Sequence, residues 1–288
     1  VSDLILHGEA DFELVLQDVS REPGATALFC DIDGTISPIA PTPAQAEVPE
    51  HVRTRLAALT SRLGLVAFVT GRTARDGARL VGLKNAIYIG THGFETMDSS
   101  GTIRALPAAE PFVPEVQAIA AQATQADLEP LGIVLENKRT VLAVHYRLAP
   151  DVEAARQAIL AAVIRPARQR GLLLTSGKFV VEVRPPLEVS KGSAARELLD
   201  SPTQRHAGPY RTALFFGDDR TDVTGFAAVR AWARAQPQSR SHCALAAISD
   251  ETPPEVKDAA DVWVAGVDGV AEALRRLLAA TASVGRLS

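Results

Sequence analysis

An apolar run from Ala25 to Cys30 stops abruptly in Asp31-Ile32-Asp33-Gly34-Thr35, and another from Ala213 to Phe216 stops in Gly217-Asp218-Asp219-Arg220-Thr221-Asp222. Short continuous apolar runs bounded by such breaks read as strands buried on both faces. Carboxylates set directly after buried strands are costly unless they bind something. In an open α/β sheet, ligands bind beyond the carboxyl ends of the strands. The two runs therefore constrain the chain to a mostly parallel sheet with an acidic edge suited to a ligand.

The remaining pattern extends that sheet. A helix is expected over 9–20 from Phe12, Val15, Leu16 and Val19, and a proline-rich loop runs from Pro38 to Pro49. Helix 50–63, strand Leu65–Val69, helix 73–81 and strand Ala86–Ile89 follow. The alternation resumes with helix Lys191–Leu199, helix 221–231, strands Cys243–Ala247 and Val262–Val264, and a last helix over 267–280. Strands alternating with helices imply a parallel sheet covered on both faces.

The middle differs. Helices over 111–127 and 151–168 are each followed by two strands. Leu131–Glu136 and Thr140–Arg147 flank the turn Asn137-Lys138-Arg139, while Leu172–Thr175 and Phe179–Arg184 flank Ser176-Gly177-Lys178. This is the pattern of a small α+β domain. The expected organisation is a core over 1–106 and 188–288, interrupted by an inserted domain over 107–187.

At 288 residues and 47% apolar content, the chain has enough material for such a core. Its formal charge of -4 and lack of a long basic block argue against a nucleic-acid partner. The short basic stretch from Arg165 to Arg170 reads as a solvated helix end. Cys30 and Cys243 lie in apolar runs and read as small core residues rather than a disulfide or zinc site. With no signal peptide and no apolar run long enough to span a bilayer, a soluble, cytoplasmic protein without a membrane partner is expected.

Four segments carry chemistry. Asp31 to Thr35 offers two carboxylates, a glycine that permits a sharp turn beside a ligand, and a hydroxyl that can orient the loop; alone it also fits a capped strand-to-helix turn. Phe68-Val69-Thr70-Gly71-Arg72 places a hydroxyl and a guanidinium at a strand tip, where both suit a phosphoryl group; helix capping by Thr70 or Thr73 is the plainer alternative. Ser190-Lys191-Gly192 sets a lysine against a helix dipole, which makes sense beside an anion, although a solvated lysine fits too. In the fourth segment, Asp218 and Asp219 are expected nearest a hard cation, with Asp222 serving partly as a helix cap.

In this order, the four segments resemble those of the haloacid dehalogenase superfamily of phosphatases. That resemblance implies a Rossmann-like α/β core with a parallel sheet, and an inserted α+β cap domain of the C2B type. More narrowly, the chain is similar to trehalose-6-phosphate phosphatases through Thr91-His92-Gly93, Glu136-Asn137-Lys138, His145-Tyr146-Arg147, Glu182-Val183-Arg184-Pro185, Lys191-Gly192 and Gly217 to Asp222. The resemblance implies an aspartyl-phosphate formed on Asp31, with Asp33 as general acid and then base, and Thr70 and Lys191 holding the phosphoryl group. Gly71, Arg72 and His92 would join in binding substrate. Magnesium would lie between Asp31, the backbone carbonyl of Asp33 and Asp218, supported by Asp219 and Asp222. Glu136, Lys138 and Glu182 would take the hydroxyls of a phosphorylated disaccharide, and functional coupling to a trehalose-phosphate synthase is implied.

The sequence departs from the family pattern twice. Val223-Thr224-Gly225-Phe226 stands where an acid usually follows Asp222, and Pro186-Leu187-Glu188-Val189 replaces an aromatic-containing stretch. The second departure bears on the sugar. Phosphatases of glucosylglycerol phosphate or a glycosyl phosphoglycerate, and a phosphomannomutase-like phosphotransferase, are the alternative readings. A phosphoglycerate calls for additional basic residues, and a mutase for a second phosphate-binding cluster. The sequence leaves the oligomeric state open.

Overall fold

A computed structural model describes residues 4–40, 42–177, 179–201, 208–250 and 252–282. The chain divides into two compact units, Val1–Arg104 with Val189–Ser288, and Ala105–Glu188.

The first unit is built on a nine-stranded sheet. Its strands are β1 (Ile5–His7), β2 (Thr26–Cys30), β3 (Leu65–Val69), β4 (Ile87–Gly90), β5 (Glu95–Met97), β6 (Ile103–Ala105, reaching the unit boundary), and three more that follow the second unit in the chain. The second unit holds β7 (Val134–Asn137), β8 (Leu142–His145), β9 (Leu173–Gly177) and β10 (Val180–Arg184). Back in the first unit come β11 (Thr212–Gly217), β12 (Ser241–Ile248) and β13 (Val262–Ala265). The order across the large sheet is β1-β13-β12-β11-β2-β3-β4-β5-β6. From β13 to β4 every pairing is parallel, while β1 and β5 join antiparallel.

Period-two alternation divides the core. In β2, Leu28 and Cys30 join one buried cluster and Ala27 and Phe29 the other. The first cluster is covered by α1 (Glu9–Arg21), α2 (Glu50–Thr60), α3 (Ala74–Val81) and, at the chain's far end, the helix Gly266–Ala280. The second is covered by the helices Lys191–Asp200, Val223–Arg234 and Pro254–Ala259. From β2 the chain winds one way through β3 and β4, and on its return it winds the other way through β11, β12 and β13. The switch between these directions lies at β2 and β11, and there the backbone amide of Asp31 donates to the Phe216 carbonyl at 2.8 Å. Cys30 and Cys243 are both buried and free, as expected.

The second unit is a four-stranded antiparallel sheet in the order β7-β8-β10-β9. One face carries Leu142, Val144, Val181 and Val183 into a core with α4 (Val113–Gln125), α5 (Val152–Ile159) and α6 (Arg165–Gln169). A π-helical turn over Leu160–Ile164 joins α5 to α6 where one continuous helix is expected. The polar end of α6 is exposed at Arg165, Arg168 and Arg170, as a solvated helix end should be.

Several boundaries differ from the sequence expectation. Helix α2 ends at Thr60 rather than 63, because the chain turns through Ser61 and Arg62. The strand expected from Leu131 begins at Val134, since Glu129–Leu131 forms a 3-10 turn closed by Gly132 in the left-handed region. The helix expected over 221–231 runs Val223–Arg234, after a 3-10 turn over Arg220–Asp222. Lys178, placed in a hairpin turn by the sequence, lies outside the described residues. Among the described residues, no helix is long and apolar enough to cross a membrane.

Candidate active site

The carboxyl edge of the first unit's sheet gathers the chemistry-bearing loops. Asp31 and Asp33 follow β2, Thr70 to Arg72 follow β3, Thr91 to Gly93 follow β4 and Asp218 to Asp222 follow β11. Lys191 opens the helix Lys191–Asp200, whose cap is Ser190 in a reciprocal bond pattern with Ser193.

Lys191 is 3% exposed and donates to Asp31 Oδ1 and Asp222 Oδ1, each at 2.7 Å. A solvated lysine is thereby ruled out. Asp222 is fully buried, and its second oxygen accepts from the backbone amides of Asp218 and Asp219, each at 3.1 Å. Asp222, rather than Asp219, lies beside Asp31 and Asp218. The 3-10 turn folds Asp222 back under the loop, whereas Asp219 is exposed and caps that turn. Thr35 Oγ1 donates to Asp218 Oδ1 at 3.2 Å. Gly34 has φ of +85°, and a Cβ there would collide with the Asp218 carboxylate, so the close approach of the two loops needs glycine.

Carboxylate oxygens of Asp31, Asp218 and Asp222 lie within 4.8 Å of one another. Burial is the main force raising the Asp31 carboxyl; Lys191 pulls it back, Asp222 and Asp33 push it further, and it stands at about 7. Burial, with Asp31 and Asp222 adding, pushes Asp218 up to about 9. For Lys191, burial opposes the charge, but Asp222 and Asp31 outweigh it and raise its pKa. One ammonium thus serves a cluster of more than one carboxylate. An all-oxygen set with excess negative charge fits a hard divalent cation, with Asp31 and Asp218 the better ligands because both Asp222 oxygens are already engaged.

Arg72 forks onto Asp33, donating through Nε to Oδ2 and Nη2 to Oδ1, both at 2.7 Å. Thr70 is buried and its hydroxyl accepts from the Arg72 amide at 3.1 Å, while Thr73 caps α3, so Thr70 remains apart from that cap. The chain after β4 enters the left-handed region at Thr91 (φ 52°) and His92 (φ 56°). For a β-branched residue this is a strained backbone, which stands only where surrounding bonds hold it. Thr91 donates through its amide to the Arg72 carbonyl at 2.7 Å, and His92 to the Thr70 carbonyl at 3.0 Å. His92 packs on Gly71, where a Cβ would come within 2.7 Å of its Nε2.

In the second unit, strand register aligns Glu136, Ala143, Glu182 and Thr175 across the face opposite the helices. Lys138 is buried, with Nζ 3.3 Å from Glu136 and 3.8 Å from Glu182. The three residues singled out in the sequence are therefore together. His145 Nε2 joins them 3.1 Å from Glu136 Oε2. Burial opposes the charge on Glu136, but His145 and Lys138 together hold its carboxyl below the usual range. The sequence assigned His145 no role; strand parity, which sets it on the same face as Ala143, was the available signal.

The profile of the trehalose-phosphatase family matches residues 29–253. The chain belongs to this family. A trehalose-phosphate phosphatase of Mycobacterium marinum is 36% identical over 221 residues, covering 74% of this chain and 55% of that protein. The chain thus spans about half the length of the curated relatives it matches. The C-terminal domain of a Candida albicans trehalose-6-phosphate phosphatase is similar in fold, with a TM-score of 0.73 at 21% identity, covering 93% of this chain and 97% of that one. A haloacid dehalogenase-like hydrolase from Bacteroides thetaiotaomicron gives a TM-score of 0.57 at 16% identity, covering 87% and 98%. The family match takes in Asp31, Thr70, Glu136, Lys191 and Asp222 alike, and the fold is that of the haloacid dehalogenase-like hydrolases.

Proposed function

We propose that the protein hydrolyses trehalose 6-phosphate to trehalose and phosphate, through a phosphoryl group carried transiently on Asp31. The observation that carries this reading is the Lys191 ammonium held 2.7 Å from both Asp31 and Asp222 at the switch point of the sheet. A buried carboxylate with a fixed cation beside it is suited to approach a phosphate monoester, which a bare anion is not.

In the first step an oxygen of Asp31 bonds to phosphorus as the bond to the sugar oxygen breaks. Asp33 supplies a proton to that leaving oxygen. To do so it must first give up part of the Arg72 fork, because a carboxylate accepting on both oxygens has no proton to donate. In the second step Asp33, now a carboxylate, takes a proton from water as the water oxygen bonds to phosphorus, releasing phosphate and restoring Asp31. Thr70 and Lys191 bind phosphoryl oxygens, with Gly71, Arg72 and His92 completing the binding loops. Asp31, Asp218 and the Asp33 carbonyl would hold magnesium, with Asp222 and Asp219 behind them. Bound there, magnesium supplies charge that offsets the meeting of two anions.

The second unit acts as the cap of this enzyme, over the expected span 107–187, and sets specificity. Glu136 and Glu182 accept sugar hydroxyls, and Lys138 donates to them. Steady-state kinetics on a panel of phosphate esters tests the reading. Trehalose 6-phosphate is expected to give the highest kcat/KM, ahead of glucose 6-phosphate, glucosylglycerol phosphate and a glucosyl phosphoglycerate. Alanine at Glu136, Lys138 or Glu182 should lower kcat/KM for the disaccharide by roughly tenfold to a hundredfold, since a hydrogen bond to a charged group contributes about 1.5–3 kcal/mol. An aryl phosphate should suffer far less. A preference for glucosylglycerol phosphate, or equal losses on both substrates, would overturn the sugar assignment.

A further inference from the structure

Lys138 is carried by an unusual turn. Its amide donates to the Val141 carbonyl at 2.8 Å, and its own carbonyl accepts from the Thr140 amide, also at 2.8 Å. The second bond spans only three residues and closes around Arg139, whose φ is +69°. A three-residue turn with positive φ at its centre is rare and strained, and a non-glycine residue there persists only if the surroundings hold it.

The surroundings do so through one side chain on α4. Gln117 Nε2 donates to Asn137 Oδ1 at 2.9 Å and to the Arg139 carbonyl at 2.8 Å, while its Oε1 accepts from Asn137 Nδ2 at 2.8 Å. Asn137 Oδ1 also accepts from the Arg139 amide at 2.9 Å. The backbone groups of Arg139 fix the orientation of both amides, because reversing either would set donor against donor or acceptor against acceptor. Glu110 takes the Arg139 guanidinium at 2.7 Å through both oxygens, but that pair is exposed and contributes little.

We propose that Gln117 is a positioning residue for Lys138: it brackets that lysine by clamping Asn137 and Arg139 on either side of it, and so fixes the ammonium between Glu136 and Glu182. Strand parity makes the arrangement possible. Glu136 and Lys138 point to the polar face, whereas Asn137, paired in register with Leu142, points to the helix side where Gln117 waits. Lysine has a long flexible stem, so a fixed ammonium requires a fixed backbone beneath it. The inference rests on the proposed role of Lys138 in taking sugar hydroxyls.

The test is a double-mutant cycle in the full chain, with Gln117→Ala, Lys138→Ala and the pair together, and with Gln117→Glu as a second probe. Gln117→Glu keeps an acceptor for Asn137 but loses the donor to Arg139. kcat/KM is measured for the phosphorylated disaccharide and for an aryl phosphate. Gln117→Ala and Gln117→Glu are each expected to lower kcat/KM for the disaccharide about threefold to tenfold, mainly through KM, with aryl phosphate turnover unchanged. The double mutant should be no worse than Lys138→Ala, because one residue acts through the other. Full additivity, no effect of Gln117→Ala on the disaccharide, or equal loss on both substrates overturns the positioning role. So does loss of the folded circular dichroism spectrum in both Gln117 variants, which would make the clamp a requirement of folding. If Lys138→Ala itself leaves the ratio of the two substrates unchanged, the sugar-binding reading fails first and takes this inference with it.

Discussion

Asp218→Asn should make the protein more stable in the absence of a divalent cation while removing its function. Asp218, after β11, lies beside Asp222 and beside Asp31 at the end of β2, and burial with those charges pushes its carboxyl up to about 9 from an ordinary 3.8. A carboxylate raised in the folded chain binds its proton more tightly there than in the unfolded chain. Its contribution to stability is therefore full below about pH 4 and is lost as pH climbs toward 9. At about 1.4 kcal/mol per pH unit, the cost at pH 8 is bounded at roughly 6 kcal/mol. Relaxation and sharing of the proton with Asp31 reduce it, and about 2–4 kcal/mol is the expected gain on removing the charge. The amide keeps an oxygen to accept from Thr35, so the loop needs no repacking. Thermal melts in chelator at pH 8 should show the variant higher than wild type by about 5–15 °C, converging near pH 4. Added magnesium should raise the wild-type midpoint and leave the variant unmoved. A variant less stable than wild type at pH 8 in chelator, or a wild type that gains stability as pH rises from 5 to 9, would refute the reasoning.

Two further perturbations probe the same edge. Gly34→Ala forces a side chain onto the Asp218 carboxylate at a positive φ, so both magnesium-induced stabilisation and kcat should fall steeply in melts and phosphate-release assays; wild-type magnesium response would show that the loops yield more easily than their packing suggests. Arg72→Lys keeps the charge but cannot fork onto Asp33. It should lower kcat for a sugar phosphate about tenfold, and less for an aryl phosphate, whose leaving group needs no proton; equal losses on the two would assign Arg72 to the phosphoryl group instead.

Much of this site was legible because each loop follows a buried strand. Apolar runs ending in Asp31, Thr70 and Asp218 announced both the sheet and its reactive edge, and the family resemblance named Glu136, Lys138 and Glu182 together. Strands β1, β5 and β6 were missed because three residues are too few to carry a period. The position of Asp222 beside Asp31 and Asp218 follows from a 3-10 turn that the acidic cluster alone does not reveal. The contact of Lys191 with Asp222 and the fork of Arg72 on Asp33 join loops distant in sequence, and only packing brings them together. Gln117 is a polar residue within a helix, with no motif to mark it.

The central claim is that Asp31 carries the phosphoryl group. Rapid acid quench of a single turnover with phosphorus-labelled trehalose 6-phosphate, followed by peptide mapping, tests it most directly. The predicted result is a transient label on the peptide containing Asp31, released by hydroxylamine as an acyl phosphate should be, and absent from Asp31→Asn, which should also release no phosphate. Phosphate release without any labelled protein, a label on another residue, or near-normal turnover in Asp31→Asn would contradict the account.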